Sequence, residues 1–212
     1  MKWVLIVTFC VVVAVSLAFL LDSREKRGGY GYPENYQIEF KDDVHTNASP
    51  PSDSLDLTFV DLNGQQVAIQ DYRGKQNVVL VFTRGFPGFV CPNCSAQTSR
   101  LIAQQGEFAR RNAAILVVFP GPKEHVQEFI ASSERQAKEK TGQVAKLPFP
   151  ILMDIDFKAV DRLGLRDDLA KPSTYILDKQ GELRFAYVGS NSADRPSVKA
   201  MLAQLDAIES EP

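Results

Sequence analysis

The sequence is poor in the residues that build metal centres and disulfide-stapled scaffolds, with only three cysteines and two histidines among 212 residues. Only Cys91 and Cys94 are close together in the chain, which excludes a small disulfide-rich fold and leaves a zinc site short of ligands. An excess of positive charge is also missing, because 26 Asp and Glu outnumber 24 Lys and Arg. The protein therefore lacks the broad basic surface that binds a nucleic-acid backbone. We expect no metal, no organic cofactor and no nucleic-acid partner.

The sequence does contain enough apolar material for one folded domain. Hydrophobic residues make up 44% of the chain and charged residues 24%, which excludes a wholly disordered chain and a polytopic membrane protein. Because a domain usually has about 150 residues, the length allows one domain and some additional sequence.

An uncharged stretch covers residues 3–21. As a helix it would span roughly 28 Å, close to the ~30 Å hydrocarbon core of a bilayer. We predict that residues 1–21 are a single-pass transmembrane anchor; the alternative, a cleaved signal peptide, usually has a shorter apolar region. Residues 22–54, which contain clustered Gly and Pro, are interpreted as a linker. We expect the domain after this linker to lie on the extracytoplasmic side, where disulfide chemistry is favoured.

Residues 55–212 alternate between strand-like and helix-like segments. Two β-branched runs, at 77–83 and 113–119, suit central strands that are buried on both faces. An amphipathic pattern over residues 122–140 suits a surface helix. The predicted order is β-β-β-α-β-α-β-α-β-β-α, which favours a layered α/β domain with helices covering a sheet.

The pair Cys91-Pro92-Asn93-Cys94 comes after the first of these central strands and a loop rich in Gly and Pro. Pro92 suits the first position of a helix, which places Cys91 at the helix start. There, unpaired backbone N–H groups and the helix dipole favour a thiolate. A pKa lowered from about 8.5 to about 6.5 would raise the thiolate fraction at pH 7 from ~3% to ~75%. We therefore predict that Cys91 is the nucleophile and that Cys94, one turn further on, is the resolving thiol.

Two structural alternatives to a redox pair are weaker. Zinc lacks further ligands, and an inert disulfide with a three-residue spacing closes too small a loop to constrain the unfolded chain much. A distant element supports the redox interpretation, because Pro172 stands just before a predicted strand, where a cis peptide bond can expose a backbone edge. Such an edge beside the thiolate could hold an extended substrate by backbone hydrogen bonds.

Several of these segments together resemble the alkyl hydroperoxide reductase and thiol-specific antioxidant (peroxiredoxin-like) family. The resemblance covers residues 55–205. It implies a thioredoxin-like fold, in which a central mixed sheet is flanked by helices. The segments that carry it are 57–69, 71–75, 91–94 and 172–178 with Gly181.

The sequence departs from that family at two positions before the first cysteine. Peroxiredoxins typically carry Thr or Ser three residues before the reactive cysteine and Pro four residues before that, whereas this chain has Gly88 and Arg84. Pro172 also resembles the cis-proline of thioredoxin-like oxidoreductases. Arg84 and Lys171 are the candidates for a positive charge near the thiolate. The strand at 77–83 offers no carboxylate beneath the pair, so the proton acceptor for Cys94 stays open.

These observations lead to three functional hypotheses. The first is a membrane-anchored thiol-disulfide oxidoreductase that uses Cys91 and Cys94, with substrate contacts at Pro172, Lys171 and Arg84. The second is a thiol peroxidase, in which Cys91 becomes a sulfenic acid and Cys94 condenses with it. The third is a redox-inactive, anchored binding module. The expected partners are a thiol, a disulfide or a hydroperoxide, together with an external reductant.

Overall fold

Strands and helices succeed one another in the order that the sequence predicts, with some short additions. The computed structural model describes residue 38 and residues 40–210. Its strands are β1 (Phe40–Lys41), β2 (Thr58–Asp61), β3 (Gln66–Ala68), β4 (Asn77–Phe82), β5 (Ala113–Pro120), β6 (Ile151–Asp154), β7 (Ser173–Leu177), β8 (Leu183–Val188) and β9 (Arg195–Pro196). Its α-helices are α1 (Pro92–Ala103), α2 (Gln105–Arg110), α3 (Val126–Thr141), α4 (Lys158–Arg162) and α5 (Val198–Glu209).

A mixed seven-stranded sheet forms the centre, in the order β3-β2-β6-β5-β4-β7-β8. The inner strands β4, β5 and β6 are parallel, and β2, β3, β7 and β8 join by antiparallel pairing. All six residues of β4 are buried, as its continuous β-branched composition predicts. The predicted α/β fold with a central mixed sheet flanked by helices is thus confirmed.

The two faces of the sheet bury different apolar clusters. Alternate residues of β4 point to opposite faces, so Val79 and Val81 pack with residues of α1, α3 and α5. Val78 and Phe82 pack on the other side with residues of α4. The cysteine pair belongs to the first cluster, which places it between the sheet and the helices of that face.

Residues 40–54, which the sequence assigns to a linker, are attached to the domain. β1 pairs in parallel with β9, and Val44 is buried. The backbone N–H of Asn47 donates to the Ala186 carbonyl at 2.9 Å, and its side-chain amide donates to the Val188 carbonyl at 3.0 Å. Because these contacts use backbone groups of strands that are distant in sequence, no local hydrophobic periodicity marks them.

The predicted membrane location needs correction. Within the described part of the chain, no helix combines the length and the apolar character needed to cross a bilayer. The predicted anchor at residues 1–21 lies outside the described residues. We therefore assign the protein neither a membrane anchor nor an extracytoplasmic domain.

Candidate functional site

The first cysteine lies where the sequence predicts, at the start of α1. Cys91 is the N-cap residue, Pro92 is the first helical residue, and the Cys91 sulfur accepts a hydrogen bond from the backbone N–H of Cys94 at 3.3 Å. The sulfur thus replaces the side-chain oxygen that usually caps a helix. A thiolate at this point would meet the positive end of the helix dipole.

Cys91 and Cys94 are joined by a disulfide, with their Cα atoms 5.3 Å apart. The pair is buried, since Cys91 is 4% exposed and Cys94 is 1% exposed. The structure thus covers the sulfur that lies at the helix start.

Arg84 approaches the pair through its backbone. Its N–H donates to the Cys94 sulfur at 3.4 Å, and its carbonyl accepts from the N–H of Ala170 at 3.2 Å. The predicted substrate contacts Lys171 and Pro172 come directly after Ala170 in the chain. Their backbones are engaged locally, because the Lys171 N–H donates to the Leu165 carbonyl and the Pro172 carbonyl accepts from the N–H of Gly189.

The peptide bond before Pro172 is trans, since the described residues contain no cis peptide bond. This differs from the cis geometry that the sequence suggests. Among residues 40–210, no three His, Cys, Asp or Glu side chains lie together in a way that could hold a metal ion.

A buried arginine that no sequence motif marks also contacts the pair. Nη2 of Arg195 lies 3.4 Å from the Cys94 sulfur, and Arg195 is only 1% exposed. Its Nη1 donates to the side-chain oxygen of Gln97 on α1, and its Nε donates to the carbonyl of Ser192 at 3.1 Å. The positive charge near the sulfurs thus comes from the segment before α5.

Arg195 is hard to find in the sequence because it is 101 residues from Cys94 and stands in a polar segment. A charged residue in such a segment is usually solvated. The one local indication is that Ser197, an N-cap residue, stands two positions further on. That pattern predicts a helix start near Arg195, but it does not predict that Arg195 contacts the cysteine pair.

Asp194, next to Arg195, accepts hydrogen bonds from the side chains of Lys41 and Tyr187 and from the N–H and hydroxyl of Ser190. Burial alone would raise the pKa of the Asp194 carboxyl, but these donors outweigh it and hold the pKa well below its usual range. The carboxylate therefore fastens β1 and β8 to the segment that carries Arg195.

Replacing Asp194 with Asn is expected to lower the free energy of unfolding by about 2 kcal/mol at neutral pH, because hydrogen bonds to a charged carboxylate are lost. The pKa of Asp194 is lower in the folded state than in the unfolded state. Its contribution is therefore complete above the unfolded pKa of about 4 and is lost as the pH falls below that value. Urea unfolding at several pH values should show the gap between wild type and Asp194→Asn closing in acid. A gap of constant size would contradict this assignment.

Two glycines shape the loop between β4 and α1, and both have a positive φ. A Cβ atom on Gly85, at φ +92°, would overlap the carbonyl oxygen of Pro120, whereas one on Gly88, at φ +91°, would meet open space. Gly88 is one of the two positions where the sequence departs from the family that it resembles. A side chain there is strained by the backbone even though there is room for it.

Alanine at the two glycines should therefore have unequal effects. Gly88→Ala adds mainly backbone strain, and we expect it to lower the free energy of unfolding by about 1 kcal/mol. Gly85→Ala adds a steric overlap with a β5 carbonyl, and we expect a loss of about 3 kcal/mol. Denaturation midpoints in urea measure both. Equal losses would mean that the loop moves freely away from Pro120.

Comparisons with known proteins identify the family. The model of the AhpC/TSA family matches residues 51–186, which include both cysteines. The chain belongs to this family. The predicted resemblance is thereby confirmed, and so is the predicted enzyme class, an oxidoreductase.

Two relatives of this AhpC/TSA chain are named as peroxide or hydroperoxide reductases. It is 29% identical over 148 residues to "Alkyl hydroperoxide reductase C" of Mycolicibacterium smegmatis, covering 69% of each chain. It is 30% identical over 138 residues to the mitochondrial "Thioredoxin-dependent peroxide reductase" of Drosophila melanogaster, covering 64% of this chain and 55% of that protein.

Among solved structures, Mycobacterium tuberculosis AhpC matches with a TM-score of 0.53 and 28% identity, over 69% of this chain and 76% of that one. The chain thus spans between about half and three quarters of the length of these three proteins.

Proposed function

We propose that this AhpC/TSA protein is a thiol peroxidase. Cys91 reduces a hydroperoxide and is oxidised to a sulfenic acid, and Cys94 then condenses with it to form the disulfide. The observation that carries the proposal is the position of Cys91 at the N-cap of α1, bonded to Cys94, inside the segment that matches the family.

An external dithiol would return the pair to its reduced form. The name of the Drosophila relative supports a thioredoxin-like protein as this reductant.

The proposal is tested by mixing the reduced protein with hydrogen peroxide and measuring the loss of thiols by rapid quenching. A Cys10→Ser background leaves only the pair to react. We expect a rate clearly above that of free cysteine at pH 7, because a larger fraction of Cys91 is thiolate at the helix start. A rate at or below that of free cysteine would overturn the proposal.

A second candidate is thiol-disulfide exchange without a peroxide, the hypothesis placed first by the sequence. The closed disulfide within one helical turn favours it, since such a pair can pass its oxidation to another dithiol. We prefer the peroxidase to thiol-disulfide exchange because the chain matches the AhpC/TSA family. Rapid oxidation of a reduced protein substrate by the disulfide form, together with slow peroxide reduction, would reverse that order.

A further inference from the structure

The two sulfurs of the pair have different polar neighbours. The Sγ atom of Cys91 accepts from the backbone N–H of Cys94 at 3.3 Å. The Sγ atom of Cys94 accepts from the backbone N–H of Arg84 and from Nη2 of Arg195, each at 3.4 Å. The charge of the guanidinium is therefore directed at the second sulfur, in a place where Arg195 and Cys94 are both 1% exposed.

Two neutral oxygens are among the groups that orient the guanidinium. Nε donates to the Ser192 carbonyl, and Nη1 donates to the side-chain oxygen of Gln97. The adjacent carboxylate of Asp194 accepts from Lys41, Tyr187 and Ser190. Charges attract each other more strongly away from water, and a cation in contact with a thiol favours its thiolate form.

The backbone of Arg195 is fixed by the first strand of the domain. Phe40 is paired with Arg195 and Lys41 with Pro196 in the β1–β9 register. The carbonyl of Lys41 also accepts from the N–H of Ser197 at 2.8 Å. The guanidinium thus reaches Cys94 from a segment whose backbone is held by hydrogen bonds to β1.

We propose that Arg195 is a catalytic residue that keeps Cys94 deprotonated once Cys91 has become a neutral sulfenic acid, and so makes Cys94 the resolving nucleophile. This inference rests on the proposed peroxidase function. It also answers a question that the sequence leaves open, because a sulfur that is already an anion needs no separate proton acceptor.

In the first step, the Cys91 thiolate attacks the terminal oxygen of the hydroperoxide. A sulfur–oxygen bond forms and the oxygen–oxygen bond breaks. With one proton taken up, the products are an alcohol and a sulfenic acid, whose sulfur is oxidised by two electrons.

In the second step, the Cys94 thiolate attacks the Cys91 sulfur. The disulfide forms, the sulfur–oxygen bond breaks, and the leaving hydroxide takes up a proton to become water. Arg195 acts here, because it sets the fraction of Cys94 that is an anion before the attack. The negative charge that it stabilises on Cys94 exists after Cys91 has been oxidised, and it disappears when the disulfide forms.

The first test measures the titration of Cys94 in the full chain with Cys10→Ser and Cys91→Ser, where Cys94 is the only thiol. Thiolate absorbance against pH reports a buried group without a reagent having to reach it. We expect a midpoint well below 8.5, the value of an unperturbed thiol. Arg195→Met should raise it by one unit or more, a tenfold change in acid dissociation. Arg110→Met, on an exposed side chain of α2, should leave it unchanged.

Gln97→Glu keeps the proposal testable if Arg195→Met does not fold. A carboxylate at that position would sit against Nη1 and compete with the sulfur for the guanidinium, so the midpoint should rise here too. Circular dichroism confirms that each variant is folded. A midpoint near 8.5 in the parent protein, or one that does not move in either variant, would overturn the proposal.

The second test measures a single turnover in the Cys10→Ser protein with one equivalent of hydrogen peroxide. In Arg195→Met, the ratio of the disulfide-forming rate to the peroxide-consuming rate should fall by about tenfold or more, and the sulfenic acid should accumulate. An unchanged ratio would overturn the role of Arg195. Slow peroxide consumption in every variant, with the Cys94 midpoint still responding to Arg195, would instead count against the peroxidase function alone.

Discussion

Replacing Cys91 with serine is expected to reduce peroxide turnover to background, a loss of about 10³-fold or more, because the nucleophile is removed and the surrounding groups cannot replace it. Peroxide consumption in the presence of a dithiol reductant measures the loss. Since Cys91→Ser keeps a short polar side chain at the N-cap of α1, the helix start should persist.

Cys94→Ser is the matched control for this prediction. It should still react once with peroxide and then stop as a sulfenic acid, which a sulfenic-acid-specific reagent and mass spectrometry detect. The opposite pattern, with Cys94→Ser unreactive and Cys91→Ser oxidised, would show that the roles of the two cysteines are reversed. The contact between Arg195 and Cys94 makes that reversal the alternative most worth testing.

Replacing Phe82 with alanine is expected to lower the free energy of unfolding by about 3–5 kcal/mol, a large part of the roughly 5–15 kcal/mol that stabilises a typical domain. Phe82 is 0% exposed at the end of β4. Its ring meets the edges of Phe59 and Tyr175, with ring centres 6.3 and 6.1 Å away. The substitution therefore removes a large side chain and two aromatic contacts together.

Urea unfolding of the wild type and Phe82→Ala measures this loss. Val144→Ala is the control, because that side chain is 76% exposed and its change should stay within about 0.5 kcal/mol. A loss below about 1 kcal/mol for Phe82→Ala would mean that the core under β4 rearranges to fill the cavity.

The central strands could be predicted because their own residues indicate that both faces of each strand are buried. In β4 and β5, nearly every residue is apolar or β-branched, and only a strand covered on both faces buries such a run. The start of α1 is equally local, since Pro92 comes directly after a residue that can cap the helix. The predicted positions of Cys91 and Cys94 depend on these two features.

What the sequence does not show is decided by contacts between distant segments. β1 and β9 have two residues each, too few for any periodicity, and they exist because they pair with each other. From the sequence alone, Arg195 would be taken for a solvated surface charge. In the structure, the pairing of β1 with β9 and the hydrogen bond to Gln97 place Arg195 against Cys94. The roles of Lys171 and Pro172 in substrate binding remain predictions.

The pairing of β1 with β9 also bears on how the protein can be cut or fused. Two residue pairs, Phe40 with Arg195 and Lys41 with Pro196, hold the amino-terminal strand of the domain against the segment that contacts Cys94. A version trimmed past Lys41 would keep every residue of the seven-stranded sheet and both cysteines, yet lose the strand that pairs with the backbone of Arg195. Expression boundaries for this protein should therefore be set upstream of Phe40, even though the family match begins only at residue 51.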